Sequence, residues 1–124
     1  MTKEQALECK KWAVVGASDS KEKFGFKIYR KLKTHGYEVY PVNPGLSEVM
    51  GDKCYASLAD LPTKVDVVDF VVNEKIGLTV LEQMKELGLT TAWLQPGADS
   101  QAVIDKAKEL GLTPIQACVL VALG

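Results

Sequence analysis

The chain has 124 residues, 47% of them hydrophobic and 25% charged, and this predicts one compact domain over residues 1–124 rather than two. The formal net charge of −1 argues against a generally basic nucleic-acid-binding protein. Charge is uneven along the chain, however, because residues 1–33 carry nine Lys or Arg against four Asp or Glu. We therefore expect any anion-binding site to draw on the first third of the sequence.

Cysteine usage and hydropathy indicate the environment of the protein. Cys9, Cys54 and Cys118 are an odd number without close spacing, so we expect neither a disulfide framework nor a metal site. The longest apolar run, residues 117–123, is far shorter than the ~20 residues of a membrane-spanning helix. Residues 1–10 lack the apolar segment of a secretory signal. These features predict a cytoplasmic protein that does not enter a membrane.

Short apolar runs alternate with amphipathic stretches along the whole chain. Thr2 and Gln5 have the spacing of a capping box, which predicts a short leading helix within residues 1–10. Apolar or β-branched runs predict strands at 12–15, 37–42, 65–72, 92–94 and 115–121, separated by helical patterns and, after Ser57, by a short helical piece. The expected fold is a doubly wound, Rossmann-like α/β/α domain with five parallel strands in the order 3-2-1-4-5. In that order a ligand would bind at the strand ends between strands one and four.

The segment after the first strand suits an anion. Gly16, Ala17 and Ser18 form a loop that leads past Lys23 to Gly25 and into a helix, whose free N–H groups favour a phosphate. The segment lacks the G-x-G-x-x-G pattern of dinucleotide-binding proteins, since Ser18 stands where the second glycine belongs. An ordinary connecting loop is the alternative interpretation.

Uncharged residues end the next strands. The second strand ends at Val42, Asn43 and Pro44, whereas dinucleotide enzymes place an acid here for the ribose diol. Val72 and Asn73 end the third strand, and Gln95, Pro96 and Gly97 end the fourth. Together these residues predict an apolar slot with amide donors, which suits a long neutral ligand arm.

Five segments in this order resemble a known family: residues 15–18, 36–44, 51–55, 65–69 and 93–98. They are similar to the small stand-alone CoA-binding proteins of bacteria and archaea, and to the CoA-binding domain of the succinyl-CoA synthetase alpha subunit. The resemblance implies that Gly16, Ala17 and Ser18 hold the phosphates and that Val42, Asn43 and Pro44 flank the adenosine. It implies that Val72, Asn73 and residues 95–97 line the remaining groove, with Lys23 as a further electrostatic partner. Leu46 stands where the synthetases usually have a lysine, and residues 116–118 retain only the cysteine of the Asp-Arg-Cys common in stand-alone members.

Three functions remain open at this level. The first is non-catalytic binding of coenzyme A or an acyl-CoA by a carrier, sensor or regulatory module, since no catalytic constellation is visible. The second is an NAD(P)-binding oxidoreductase domain, and the third is a regulatory subunit that binds a protein partner of unknown identity. Cys118 is either a buried core residue or a thiol that meets the thiol end of coenzyme A.

Overall fold

The computed structural model describes residues 1–124 and contains a five-stranded parallel sheet covered by helices. A separate two-stranded hairpin and a 3-10 turn at Leu58–Asp60 interrupt the second crossover. The strands are β1 (Lys11–Val15), β2 (Glu38–Val42), β3 (Glu48–Val49), β4 (Asp52–Lys53), β5 (Val67–Phe70), β6 (Thr91–Leu94) and β7 (Thr113–Gln116). The helices are α1 (Lys3–Glu8), α2 (Phe24–Thr34), α3 (Glu74–Leu87), α4 (Gln101–Glu109) and α5 (Val119–Ala122).

The strand order is β2-β1-β5-β6-β7, so the fold class is confirmed and the predicted order 3-2-1-4-5 is wrong. The third long strand, β5, pairs with β1 in parallel, with Val14 opposite Asp69 and Val15 opposite Phe70. The cause is the path of the chain from β2 to β5. Leu58 in that connection packs on the sheet face that α2 does not cover. A right-handed crossover on that face places the next strand on the side of β1 away from β2.

Two apolar cores lie on the two faces of the sheet. Side chains alternate along β1, so Trp12 and Val14 pack with α1, α2 and α5, while Ala13 and Val15 pack with α3 and α4. Both tryptophans, Trp12 and Trp93, are fully buried on the α2 face, with ring centroids 5.1 Å apart. Because the five strands are parallel, their carboxyl ends lie along one edge of the sheet.

The end of the chain differs from the sequence-based expectation. The predicted fifth strand at 115–121 is shorter, ending at Gln116, and α5 follows it. Cys118 is thus not a strand residue but the residue that precedes α5. This short helix folds back over the α2 face, where Val119 is fully buried.

The predicted leading helix is present as α1, and both hydrogen bonds of its capping box join Thr2 and Gln5. No helix of the structure has the length and apolar character that crossing a membrane requires. The structure also contains no group of three or more His, Cys, Asp or Glu side chains placed to hold a metal ion.

Candidate functional site

The strand order places the candidate site at the carboxyl ends of β1 and β5. β2 lies on one side of β1, and β5, β6 and β7 lie on the other side. The strand order therefore reverses at β1, and the crevice opens between the ends of β1 and β5. The predicted position between strands one and four is therefore wrong by one strand. β5 occupies the place that the predicted order gave to β6.

The loop after β1 is held by close backbone packing. Gly16 has φ +93°, and a Cβ there would lie 2.1 Å from the Val71 carbonyl oxygen. A Cβ on Gly25 would lie 2.2 Å from the carbonyl oxygen of Gly16. Both glycines are needed because the loop, the end of β5 and the first turn of α2 approach one another without room for side chains.

Two backbone N–H groups of this loop have no protein acceptor. Neither the Ala17 nor the Ser18 backbone N–H donates to a protein acceptor. The Ser18 hydroxyl oxygen accepts a bond of 3.1 Å from the Ser20 N–H, which leaves its own proton free. No side chain caps the first turn of α2, which begins after Lys23. Free N–H groups and the positive helix end together favour an anion here.

A first cavity of about 400 Å³ opens between α2 and the ends of β5 and β6, and the predicted phosphate-loop residues Gly16, Ala17, Ser18 and Gly25 do not line it. None of its lining residues is charged. It brings together six of the residues predicted from sequence, and Phe24 and Ile28 of α2 close its other side. The six are Val72, Asn73, Gln95, Pro96, Gly97 and Cys118.

Gln95 supplies the polar group of the first cavity. Its side chain is 3% exposed, and Oε1 accepts bonds of 3.0 Å from the Trp93 indole N–H and 3.1 Å from the Val119 backbone N–H. These bonds fix the amide, whose Nε2 group donates to no protein acceptor. A fixed, unpaired amide donor at the wall of an apolar cavity suits a ligand carbonyl.

A second cavity of about 470 Å³ lies on the other side of the sheet edge, between β2 and α3. Val42 and Pro44, two of the residues predicted to flank the adenosine, line it, and Asn73 lines both cavities, so the two adjoin at the end of β5. Asn43 lines neither one. Its amide instead donates to the Ala17 carbonyl at 2.9 Å and accepts from the Gly45 N–H at 2.8 Å, which ties the end of β2 to the loop after β1.

The second cavity also holds residues that sequence reasoning missed. Lys23 is exposed and lines neither cavity, whereas Lys75 in the first turn of α3 lines the second. Lys75 is one of 15 Lys and Arg residues, and no motif distinguishes it in the sequence. The other lining residues of the second cavity that were not predicted are Val15, Ala56, Ser57, Leu58, Ile76, Thr79, Val80 and Gln83. Those of the first cavity are Phe24, Ile28, Val71 and Ala98.

One buried carboxyl lies below the site. Asp69 in β5 is completely buried, and neither of its oxygens has a hydrogen-bond partner. Burial raises the pKa of this carboxyl well above its usual range, and the proximity of the Cys118 thiol raises it further. Burial therefore favours the neutral acid form of Asp69 over the carboxylate.

Two of the three free cysteines, Cys118 and Cys54, differ in access. Cys118 lines the first cavity and is partly exposed. Cys54 is buried, and its thiol donates to the Asn43 carbonyl oxygen at 3.6 Å. Burial raises the pKa of the Cys54 thiol, which makes it the less reactive of the two.

The chain matches a protein family and is similar to known proteins over most of its length. The family model described as "CoA binding domain" matches residues 10–124. The chain is 31% identical over 121 residues to the uncharacterised protein YneT of Bacillus subtilis, covering 97% of this chain and 90% of YneT. A solved structure of a hypothetical protein from Pyrococcus horikoshii superposes with a TM-score of 0.88 at 37% identity, over 98% of this chain and 89% of that one.

Part of the chain is also similar to much larger proteins. It is 38% identical over 82 residues to the ADP-forming acetate–CoA ligase II of Archaeoglobus fulgidus, which covers 64% of this chain and 12% of the ligase. The match concerns a single segment of that ligase. It therefore supports a shared domain and leaves the activity of the whole ligase outside the comparison.

Proposed function

The chain belongs to the CoA-binding domain family, and we propose that it binds coenzyme A or an acyl-CoA without catalysing a reaction, as a carrier, sensor or regulatory module. The observation that carries this proposal is the pair of adjoining cavities that meet at Asn73, after β5, where residues 71 and 72 pack against Gly16 of the loop after β1. Coenzyme A has a similar layout: a neutral arm ending in a thiol, a central diphosphate and a phosphorylated adenosine.

The chemistry of the first cavity favours the neutral arm. It has no charged lining group, it presents the fixed amide donor of Gln95, and Cys118 is the one thiol on its wall. The arm of coenzyme A carries two amide carbonyls that such a donor can bind. Its terminal sulfur, or an acyl group on it, would lie against apolar residues.

The diphosphate fits the loop after β1. The unpaired N–H groups of Ala17 and Ser18 and the uncapped start of α2 provide donors without a dedicated cation. The second cavity then receives the adenosine end, between Val42, Pro44 and the first turns of α3. Asn43 supports this arrangement indirectly, since it anchors the loop rather than contacting the ligand.

The lining residues support a binding role over an enzymatic one. Acid–base catalysis most often uses a positioned His, Asp or Glu within reach of the substrate, and neither cavity is lined by any of these residues. His35, the single histidine, lies exposed at the end of α2, with Nδ1 2.9 Å from the Lys31 carbonyl oxygen. An NAD(P)-dependent reaction is less well supported, because the end of β2 offers no acid for a ribose diol.

Native mass spectrometry of the protein as purified tests the proposal, with a co-purified CoA species as the expected result. A rim variant then tests the location. Phe24 is 64% exposed and lines the first cavity, so Phe24→Ala should preserve folding and weaken CoA binding by at least about threefold through lost apolar contact. Val121→Ala is the matched control, since Val121 is 82% exposed and lines neither cavity. Equal effects of the two variants would contradict the proposed site.

A further inference from the structure

The two cavities differ in one respect that the proposed function does not use. Together they are lined by 21 different residues, ten and twelve with Asn73 shared, and Lys75 is the single charged residue among them. All other cations lie elsewhere. In particular, Lys27, Arg30 and Lys31 line a separate small cavity against α5.

The ammonium group of Lys75 has no partner within the protein. The two ion pairs of the structure join Lys33 to Asp52 and Lys106 to Glu82. Lys75 takes part in neither, and its Nζ donates to no protein acceptor. A positive charge in the first turn of a helix is also on the unfavourable end of the helix dipole. The position therefore gives the fold no electrostatic benefit and leaves the charge available to a ligand.

The surroundings of Lys75 suit a phosphate group rather than an uncharged or purely apolar group. Gln83 lines the same cavity and offers an amide donor, and Val15 and Val42 provide an apolar wall. The hydroxyls of Ser57 and Thr79 also line it, but they already donate to the Asp60 carboxylate and to the Lys75 carbonyl oxygen. Glu74 precedes Lys75 but lines neither cavity, so no carboxylate faces the incoming anion there. The site combines an apolar surface for a base with a cation and a neutral amide donor for a phosphomonoester.

We propose that Lys75 is the specificity-determining residue of the adenosine end, and that it binds the 3′-phosphate that distinguishes coenzyme A from dephospho-CoA. This inference rests on the proposed function, since it assigns the second cavity to the phosphorylated end of the same ligand. It also accounts for the absence of a cation after the Pro44–Gly45 turn, because α3 supplies the charge from the other side of the cavity.

Calorimetric titration with CoA and with dephospho-CoA, at low and at high salt, tests this assignment. The wild-type protein should bind CoA about fivefold more tightly than dephospho-CoA at low salt, the effect of one exposed charge pair, and the preference should shrink as salt screens the charge. Lys75→Gln should remove the preference by weakening CoA alone, and Lys75→Arg should retain it. Lys85→Gln is the matched control, because Lys85 lies near the other end of α3 and lines neither cavity.

The outcomes separate the two proposals. If the wild-type protein binds both ligands equally, or if Lys75→Gln keeps the full preference, CoA binding stands and the role of Lys75 is refuted. A uniform loss of affinity for both ligands in Lys75→Gln also refutes it, since the residue would then act on the whole site. If the wild-type protein binds neither ligand, the proposed function fails and the assignment of Lys75 fails with it.

Discussion

Replacing Asp69 with asparagine should remove a specific pH dependence of stability. Burial raises the pKa of Asp69 well above its usual range, with a further contribution from Cys118, and neither carboxyl oxygen has a hydrogen-bond partner. Below pH about 4 the carboxyl is neutral in both the folded and the unfolded chain. Above that pH only the unfolded chain ionises, so the folded state binds the extra proton and the free energy of unfolding falls as pH rises. The loss is about 1 kcal/mol for each pH unit until the pH passes the folded pKa.

Urea unfolding of both proteins across the pH range from 5 to 8 measures this effect. The stability of Asp69→Asn relative to wild type should rise by about 1 kcal/mol per pH unit over the window in which only the unfolded wild type is charged. Glu86→Gln, which removes an exposed carboxyl without partners, should leave the pH dependence unchanged. Parallel stability curves for wild type and Asp69→Asn would refute the reasoning, because they would mean that the carboxyl is charged and stabilised in the folded protein.

Three further predictions concern the loop after β1 and the thiols. Gly16→Ala should lower the melting temperature far more than Gly36→Ala, although both glycines have positive φ, because a Cβ at Gly16 would lie 2.1 Å from a carbonyl oxygen of the chain after β5, whereas Gly36 has no atom within 4 Å; equal losses would contradict the close-packing argument. Ser18→Ala should weaken CoA binding by only roughly 1 kcal/mol in calorimetry, because backbone donors carry most of the phosphate contact, and complete loss of binding would reverse that ranking. Incubation with oxidised CoA should add one CoA by exchange at Cys118, releasing one CoA thiol, and intact mass should show that Cys118→Ser prevents the adduct while Cys54→Ser does not; an adduct that persists in Cys118→Ser would make Cys118 a bystander.

The fold class and half of the candidate site could be predicted from sequence because they depend on local patterns. Apolar runs that end in Gly or Pro mark parallel strands, and the carboxyl ends of such strands share one edge. That reasoning placed Val72, Asn73 and residues 95–97 together, and the structure shows them on one cavity. The predicted strand positions also agree with the observed ones to within three residues, except at the end of the chain.

Strand order could not be predicted, because both orders satisfy the right-handed crossover rule with the same strands. The choice depends on which face the connection from β2 crosses, and Leu58 packs on the α3 face through tertiary contacts alone. Lys75 was missed for another reason, because no motif distinguishes it from the other Lys and Arg residues of the chain. Asp69 was expected to serve solubility, capping or pairing with a lysine, and its complete burial was not predicted. A strand buried on both faces shows no alternation of polar and apolar residues that would indicate the burial of one position.

The predicted strand at 115–121 was wrong at its end for a different reason. Residues 117–123 form a short apolar run, and such a run does not distinguish a strand from a buried helical turn. Contacts across the fold decide the outcome, since Gln95 accepts from the Val119 N–H and thereby holds the start of α5 against the α2 face.

Calorimetric titration of the wild-type protein with CoA and, in parallel, with NAD tests the central claim most directly. The proposed site predicts a dissociation constant for CoA of roughly micromolar size, about −8 kcal/mol, and markedly weaker binding of NAD, since the end of β2 offers Asn43 in place of a ribose-binding acid and Asn43 is occupied by the Ala17 carbonyl. Tighter binding of NAD than of CoA, or no heat of binding with CoA, would contradict the proposal that this chain binds CoA.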